Sequence, residues 1–255
     1  MNGRAGGGRV DNSITLSEQG GVRYLHFGTE WVQGAMRLSR PFAIEIDYVR
    51  DMMAWLLFLR PPAQILQLGL GAAALTKFCY RFCPPSRIQV VEIDSRVRDT
   101  ARRWFALPPD DERLSVDIVD AHAFLRTAGM QAAYGVVQVD LYDREARGPV
   151  LDSLAFYRDC RRALQGAGVL SVNLFGEDES FERSRRNLQT SFQGRVVYLP
   201  PVAEGNVVAL AFSGPHLSIA ADELLARAIW LKSQLGLPAD AWARTLLNGA
   251  ASFSV

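Results

Sequence analysis

The chain has 255 residues, with 28 lysines and arginines against 27 aspartates and glutamates, 49% apolar residues and 22% charged ones. That is the balance of a folded protein with a full core, and the near-zero net charge gives no electrostatic footprint for nucleic acid. No apolar run reaches the roughly 20 residues that cross a bilayer, and three cysteines, an odd number, make no disulfide framework. The expectation is a cytoplasmic, membrane-free protein with reduced thiols. Cys79 and Cys83 should share a helix face in the core, and no His or Cys nearby in sequence completes a metal site.

Residues 1–12, rich in glycine and without an apolar signal segment, read as a disordered leader. Residues 13–37 alternate weakly, with a turn at Gly20-Gly21, and read as two or three short strands of a small β element over 13–43. Trp31, on this element, is either a core residue or part of a homodimer seam. The apolar run Ile44–Leu59 reads as one helix, ended by Pro61-Pro62. Strands are expected at 64–69, 87–92, 114–119, 134–140 and 167–174, with helices at 72–82, 95–105, 121–128 and 153–164. The strands show little alternation, as expected when helices cover both faces of a parallel sheet. Gly166-Ala167-Gly168 is read as a helix end before the fifth strand. A polar helix at about 178–191 follows, its Glu182–Arg186 stretch a solvated face. Then come an antiparallel strand pair (GRVVYL and NVVALAF) at a sheet edge, and helices at 221–235 and 238–248. The fold class is α/β, a Rossmann-like nucleoside-binding catalytic domain over 44–255.

The most informative stretch is ILQLGLGAAA at Ile65–Ala74, followed by VVEID at Val90–Asp94. A strand ending in Gly69-Leu70-Gly71 and passing into a helix is a nucleotide-binding turn. Gly69 permits the tight turn, Gly71 lets backbone approach a ligand, and Ala74 keeps helix and strand close. An acid at the end of the next strand, Glu92, can hold a ribose diol. In such sheets ligands bind beyond the carboxyl ends of the strands. Successive strand ends deliver Gly69, Leu70 and Gly71, then Glu92 and Asp94, then Asp120 and Ala121, then Asp140 and Asp143, then Asn173. Each has a plain structural reading too. Asp120 suits a helix cap, Asp94 and Ser95 cap the next helix better than Glu92 does, and Asp140 and Asp143 suit a loop. It is the joint pattern that points to a nucleoside site.

ILQLGLG, VVEIDSRVRDTARRWF, LSVDIVDAHAFL, YGVVQVDLYD and FYRDCRRALQGAGVLSVNL, in that order, resemble the spermidine synthase (polyamine aminopropyltransferase) family over about residues 22–213. The resemblance implies a seven-stranded methyltransferase-type sheet, its last strand antiparallel, behind a small N-terminal β domain. It implies an S-adenosyl-type donor, either decarboxylated S-adenosylmethionine or S-adenosylmethionine, and a small-molecule amine acceptor. By resemblance Glu92 holds the ribose, Asp120 contacts the adenine amine, and Gln33 lies near the donor beside Gly69, Leu70, Gly71 and Ala121. Asp140 and Asp143 match the two aspartates around the attacking amine, Asp143 as base and Asp140 as orienting acid. Tyr142 and Glu204 join Asp140 on the acceptor side.

The chain also departs from the family pattern. Ala72 stands where the glycine loop usually has an aspartate, and Tyr48-Val49-Arg50-Asp51 does not reproduce Tyr-His-Glu. Asn206-Val207-Val208 replaces Trp-Gly-Phe, and Arg144 replaces a proline. Aminopropyl transfer to an amine is the leading reading. An S-adenosylmethionine-dependent methyltransferase is the alternative, favoured by Ala72, since an aspartate there would repel a donor carboxylate. A non-catalytic homologue is opposed by the paired Asp140 and Asp143. A nicotinamide dehydrogenase leaves Asp120 and the DLYD loop unexplained.

Overall fold

The computed structural model describes residues 13–142, 150–176 and 178–255. Residues 1–12, on which the reading as a leader falls, Asp143 with the residues up to 149, and Glu177 lie outside them. Three strands, β1 (Thr15–Gln19), β2 (Val22–His26) and β3 (Gly34–Arg37), form an antiparallel meander, with Gly20 and Gly21 at positive φ in the first turn. Alternation then begins: α1 (Asp47–Asp51), β4 (Gln64–Leu68), α2 (Ala74–Phe82), β5 (Arg87–Glu92), α3 (Ser95–Trp104), β6 (Leu114–Ile118), α4 (Ala121–Leu125), β7 (Tyr134–Val139), α5 (Leu154–Ala163), β8 (Leu164–Phe175) and α6 (Ser180–Ser191). The chain closes with β9 (Val196–Tyr198), β10 (Asn206–Phe212), β11 (Ser218–Ala220), α7 (Ala221–Leu235), α8 (Ala239–Leu247) and β12 (Ser252–Ser254).

Among the described residues seven strands form the central sheet in the order β6-β5-β4-β7-β8-β10-β9. All its pairings are parallel except those of β10, which runs against both β8 and β9. This is the expected methyltransferase-type α/β architecture. Strand order reverses between β4 and β7, the switch point where such sheets bind ligands. Two apolar clusters fill the two faces. One holds Trp55, Phe78, Ile88 and Trp242, the other Leu66, Phe156, Tyr157 and Phe192. Cys79, Cys83 and Cys160 are buried free thiols.

Three local expectations are corrected. The run 44–59 is not one helix: α1 stops at Asp51 and a separate 3₁₀ turn covers Ala54–Leu57. The cause is a polar row across the sheet. Gln67, Gln138 and Ser171 are register neighbours on β4, β7 and β8, and all are buried. Gln67 Nε2 donates to Gln138 Oε1 at 2.9 Å. Gln138 Nε2 and Ser171 Oγ both donate to the Met52 carbonyl, at 3.1 and 3.0 Å. That carbonyl, claimed by the sheet, does not continue a helix. The Leu56 and Leu59 carbonyls accept from the Arg227 guanidinium of α7.

Gly166-Ala167-Gly168 lies inside β8 rather than at a helix end. Leu164 already has extended backbone, and the register jumps from Tyr134↔Leu164 to Val136↔Val169. Gly168 has a packing reason, because a Cβ there would lie 3.1 Å from the Gly135 carbonyl oxygen, and the strand leaves no room for a Cβ on Gly214, which would fall 1.5 Å from the Gly166 carbonyl oxygen. Finally, Trp31 is 60% exposed, so its core reading is wrong. The β11–β12 pair went unforeseen, since three-residue strands leave no periodic signal.

Candidate active site

A cavity of about 850 Å³ opens over the carboxyl ends of the parallel strands, walled on one side by the β2–β3 connection. The glycine turn forms its floor. Gly69 has φ +94°, and a Cβ there would sit 2.1 Å from the Asp140 carbonyl oxygen, so strands β4 and β7 approach through bare backbone. Gly71 has φ +49°, with its missing Cβ 3.2 Å from the Gln33 carbonyl oxygen. The turn is thus clasped between Asp140 and Gln33, both of which line the cavity. Leu70 and Ala121 line it as well.

Glu92 ties this turn to the next strand end. Its Oε2 accepts from the Leu70 N–H at 3.1 Å and its Oε1 from the Asp94 N–H at 2.9 Å. The side chain is 9% exposed. Burial pushes its pKa up, and the backbone N–H groups pull it back. Asp94 caps α3 by accepting from the Arg96 N–H, and Asp120 caps α4 by accepting from the Ala123 N–H at 2.8 Å. The capping reading of Asp120 therefore holds while it also lines the cavity.

On the opposite wall the structure assembles a polar network that the sequence showed only in pieces. Asn173 Nδ2 donates to Asp140 Oδ1 at 2.9 Å, and Asn206 Nδ2 donates to Asn173 Oδ1 at 3.0 Å. Tyr142 Oη donates to the Asn173 carbonyl at 3.2 Å. The Tyr48 hydroxyl faces the Asp140 carboxylate and favours its charged form. Burial pushes the Asp140 carboxyl up to about 6 against the pull of Asn173 and Tyr48. Burial, then the Asp140 charge, pushes the Tyr48 and Tyr142 phenols far above the ordinary value. Glu204 lines the cavity beside this group. Asp143 lies outside the described residues.

Sequence reasoning missed Tyr48 and Asn206 as site residues. Asn206 had a findable signal. It opens β10, which runs antiparallel, so its amino end reaches the rim where the parallel strands end. Tyr48 had only the tyrosine it shares with the family's Tyr-His-Glu, in a segment that otherwise departs from that motif.

The charge of the lining is one-sided. Among its described residues Glu30, Glu92, Asp94, Asp120, Asp140 and Glu204 are acids, while the cation is Arg96, ion-paired to Asp94 at 2.5 Å. A cavity of one sign attracts ligands of the other. Ala72 lies outside this lining. It is buried and packs against Gly34 of β3, whose added Cβ would come within 2.5 Å of the Ala72 Cβ.

The sequence profile described as the spermine/spermidine synthase domain matches residues 46–217. A polyamine aminopropyltransferase of Neisseria meningitidis is 33% identical over 225 residues, covering 88% of this chain and 85% of that protein. The chain belongs to the spermine/spermidine synthase family. Membership makes it a transferase and ties it, at the level of the family, to polyamine biosynthesis. Among solved structures, a probable spermidine synthase of Corynebacterium glutamicum superposes with a TM-score of 0.69 at 20% identity, covering 93% of this chain and 91% of that one. Human methyltransferase-like protein 13 in complex with SAH gives a TM-score of 0.67 at 23% identity, covering 75% and 93%. At these identities both speak for the fold alone. Among the described residues no group of His, Cys, Asp or Glu could hold a metal, and no helix is long and apolar enough to cross a membrane.

Proposed function

We propose that this protein transfers an aminopropyl group from decarboxylated S-adenosylmethionine to a small-molecule amine. The observation that carries the reading is the acidic lining of the cavity over the glycine turn. A decarboxylated donor and an amine acceptor are both cationic, whereas S-adenosylmethionine adds a carboxylate that this lining would repel. Ala72 bears less on the donor than its sequence position suggests, since it packs against Gly34 outside the main lining.

In this reading Glu92 accepts from the ribose hydroxyls with the lone pairs left by Leu70 and Asp94. Gly69 to Gly71, Gln33, Asp120 and Ala121 shape the rest of the donor site. Asp140, Tyr142 and Glu204 face the acceptor, and Tyr48 and Asn173 orient Asp140. The amine nitrogen attacks the aminopropyl carbon beside the sulfonium. The carbon–sulfur bond breaks, its electron pair stays on sulfur, and neutral methylthioadenosine leaves. The nucleophile must first lose a proton, and Asp143 is the proposed acceptor of it, with Asp140 holding the amine. The sulfonium is already a good leaving group, so positioning supplies most of the acceleration.

A thermal-shift panel of S-adenosylmethionine, its decarboxylated form, methylthioadenosine, S-adenosylhomocysteine and NAD tests the donor class, because ligand stabilisation follows mass action. The proposal expects the decarboxylated donor and methylthioadenosine to stabilise most. Stronger stabilisation by S-adenosylmethionine and S-adenosylhomocysteine would replace the reading with a methyltransferase. Asp143→Asn should lower turnover about 10²–10⁴-fold with nucleoside binding retained. Equal turnover would remove Asp143 from the mechanism.

A further inference from the structure

We infer that the C-terminal helix pair, through Trp242 of α8 and Arg227 of α7, positions Tyr48 against Asp140, so that an element outside the cavity sets one wall of it. Both helices lie beyond the span 46–217 matched by the family profile. The inference rests on the aminopropyl-transfer reading for its bearing on the reaction, while its geometry stands apart from that reading.

Helix α1 has five residues, fewer than the dozen or so that a helix needs to hold itself in water. Its place is fixed from outside. On the sheet side the Met52 carbonyl accepts from Gln138 and Ser171. On the amino side the Arg50 guanidinium donates back to the Ile44 and Glu45 carbonyls. On the third side stand the C-terminal helices. Trp242 Nε1 donates to Asp51 Oδ1 at 2.7 Å, and the Arg227 guanidinium donates to the Leu56 and Leu59 carbonyls around the 3₁₀ turn. Asp51 and Trp242 are both buried, so water does not compete for their bond. Leu224, Ala228 and Leu231 of α7 share one apolar cluster with Trp242 and with Met52 and Trp55, and the β11–β12 pair ties the two ends of the helical segment together.

Tyr48 and Asp51 are three residues apart on α1, neighbours across one helical turn. A change at Asp51 therefore reaches Tyr48, which lines the cavity and favours the charged form of the Asp140 carboxyl. Trp242 lies outside the lining, which makes it a positioning residue. The titratable groups around Asp140 are Tyr48, Tyr142 and Glu204, with Glu92, Asp120 and Arg96 elsewhere in the same lining. Around Asp51 they are Asp47 and Arg50 of its own helix, with the Trp242 N–H facing it from α8.

The test follows the Asp140 carboxyl carbon by NMR in the full chain, isotopically labelled at aspartate, with the signal assigned by its loss in Asp140→Asn. Trp242→Phe keeps the apolar bulk and removes the N–H. Its Asp140 midpoint should rise by about one pH unit above the wild-type value of about 6, as expected when a hydrogen bond to a charged group is loosened. Tyr48→Phe should give a similar rise, and Trp242→Phe should add little to it, because two changes that act through one contact do not sum. Asp51→Val keeps the volume and leaves no unpaired carboxylate, and it should reproduce the rise. Asp51→Asn, whose amide oxygen still accepts from Trp242, should not. In turnover, the acid limb of kcat/KM should move with the midpoint while calorimetric affinity for methylthioadenosine stays at the wild-type value. A midpoint unmoved in both Trp242→Phe and Asp51→Val overturns the inference, even if Tm falls, since the clamp is then purely structural. A rise in Trp242→Phe that persists undiminished on the Tyr48→Phe background overturns it as well. The titration needs no substrate, so wild type that transfers no aminopropyl group overturns the transferase reading and leaves the positioning to be decided by the midpoints.

Discussion

Replacing Glu92 tests the proposed nucleoside site where structure and chemistry converge. The carboxylate accepts two backbone N–H groups, from Leu70 in the glycine turn and Asp94 at the start of α3, and it is nearly buried. Glu92→Ala therefore has two separable consequences. It leaves two N–H groups without their partner, at about 1–3 kcal/mol each and toward the lower figure because the cavity admits water. It also removes the proposed acceptor for the ribose hydroxyls. Hydrogen bonds to a charged group contribute about 1.5–3 kcal/mol, which corresponds to a roughly 10- to 150-fold weaker nucleoside. Urea unfolding reads the first effect and calorimetry with methylthioadenosine the second. Glu92→Gln keeps the shape but turns an amide donor toward one of the two N–H groups, so it should fall between wild type and alanine in both assays. If Glu92→Ala remains folded and binds methylthioadenosine as tightly as wild type, the ribose assignment is wrong.

Other substitutions reach the remaining parts of the argument. Asp140 holds its proton to about pH 6 because it is buried, so kcat/KM should break downward below pH 6 as the carboxylate is lost. The pH profile of Asp140→Asn should lack that break and lie about 10²-fold or more lower. Asp51 is likewise pushed up to about 6 by burial, although Trp242 Nε1 donates to it at 2.7 Å. Its folded pKa exceeds the unfolded one near 3.9, so the folded state takes the proton first and stability rises as pH falls from about 6 to about 4. Above pH 6 the ionised group costs up to about 3 kcal/mol. Asp51→Asn should raise Tm at pH 8 and change it little at pH 4, and the difference between the two curves separates Asp51 from Asp140. Gly69→Ala combines a positive φ with a Cβ 2.1 Å from the Asp140 carbonyl oxygen, and chemical denaturation should find it destabilised by more than about 2 kcal/mol. Ala72→Asp restores the family residue but sets a carboxylate against Gly34, and it should lower Tm.

Much of this was legible in the chain itself. Strands buried on both faces leave continuous apolar runs, and the glycine turn with the acid at the next strand end has a fixed spacing, so β4, β5, Gly69 to Gly71 and Glu92 could be read directly. The break at Met52 could not, because it depends on Gln67, Gln138 and Ser171 meeting across three strands far apart in sequence. The Tyr48–Asp140–Asn173–Asn206 network was hidden for a related reason. Its members come from α1, the end of β7, β8 and the start of an antiparallel strand, and only the strand order brings them to one rim. Trp31 was ambiguous because an aromatic in a weakly alternating segment carries no mark of which side it faces.

The central claim is tested most directly by incubating the protein with an amine series (putrescine, cadaverine and spermidine) and either donor, and identifying both products by mass. The account predicts that decarboxylated S-adenosylmethionine yields methylthioadenosine together with an amine lengthened by one aminopropyl unit, and that S-adenosylmethionine yields nothing comparable. S-Adenosylhomocysteine with a methylated acceptor, or no nucleoside release with any amine, would contradict it.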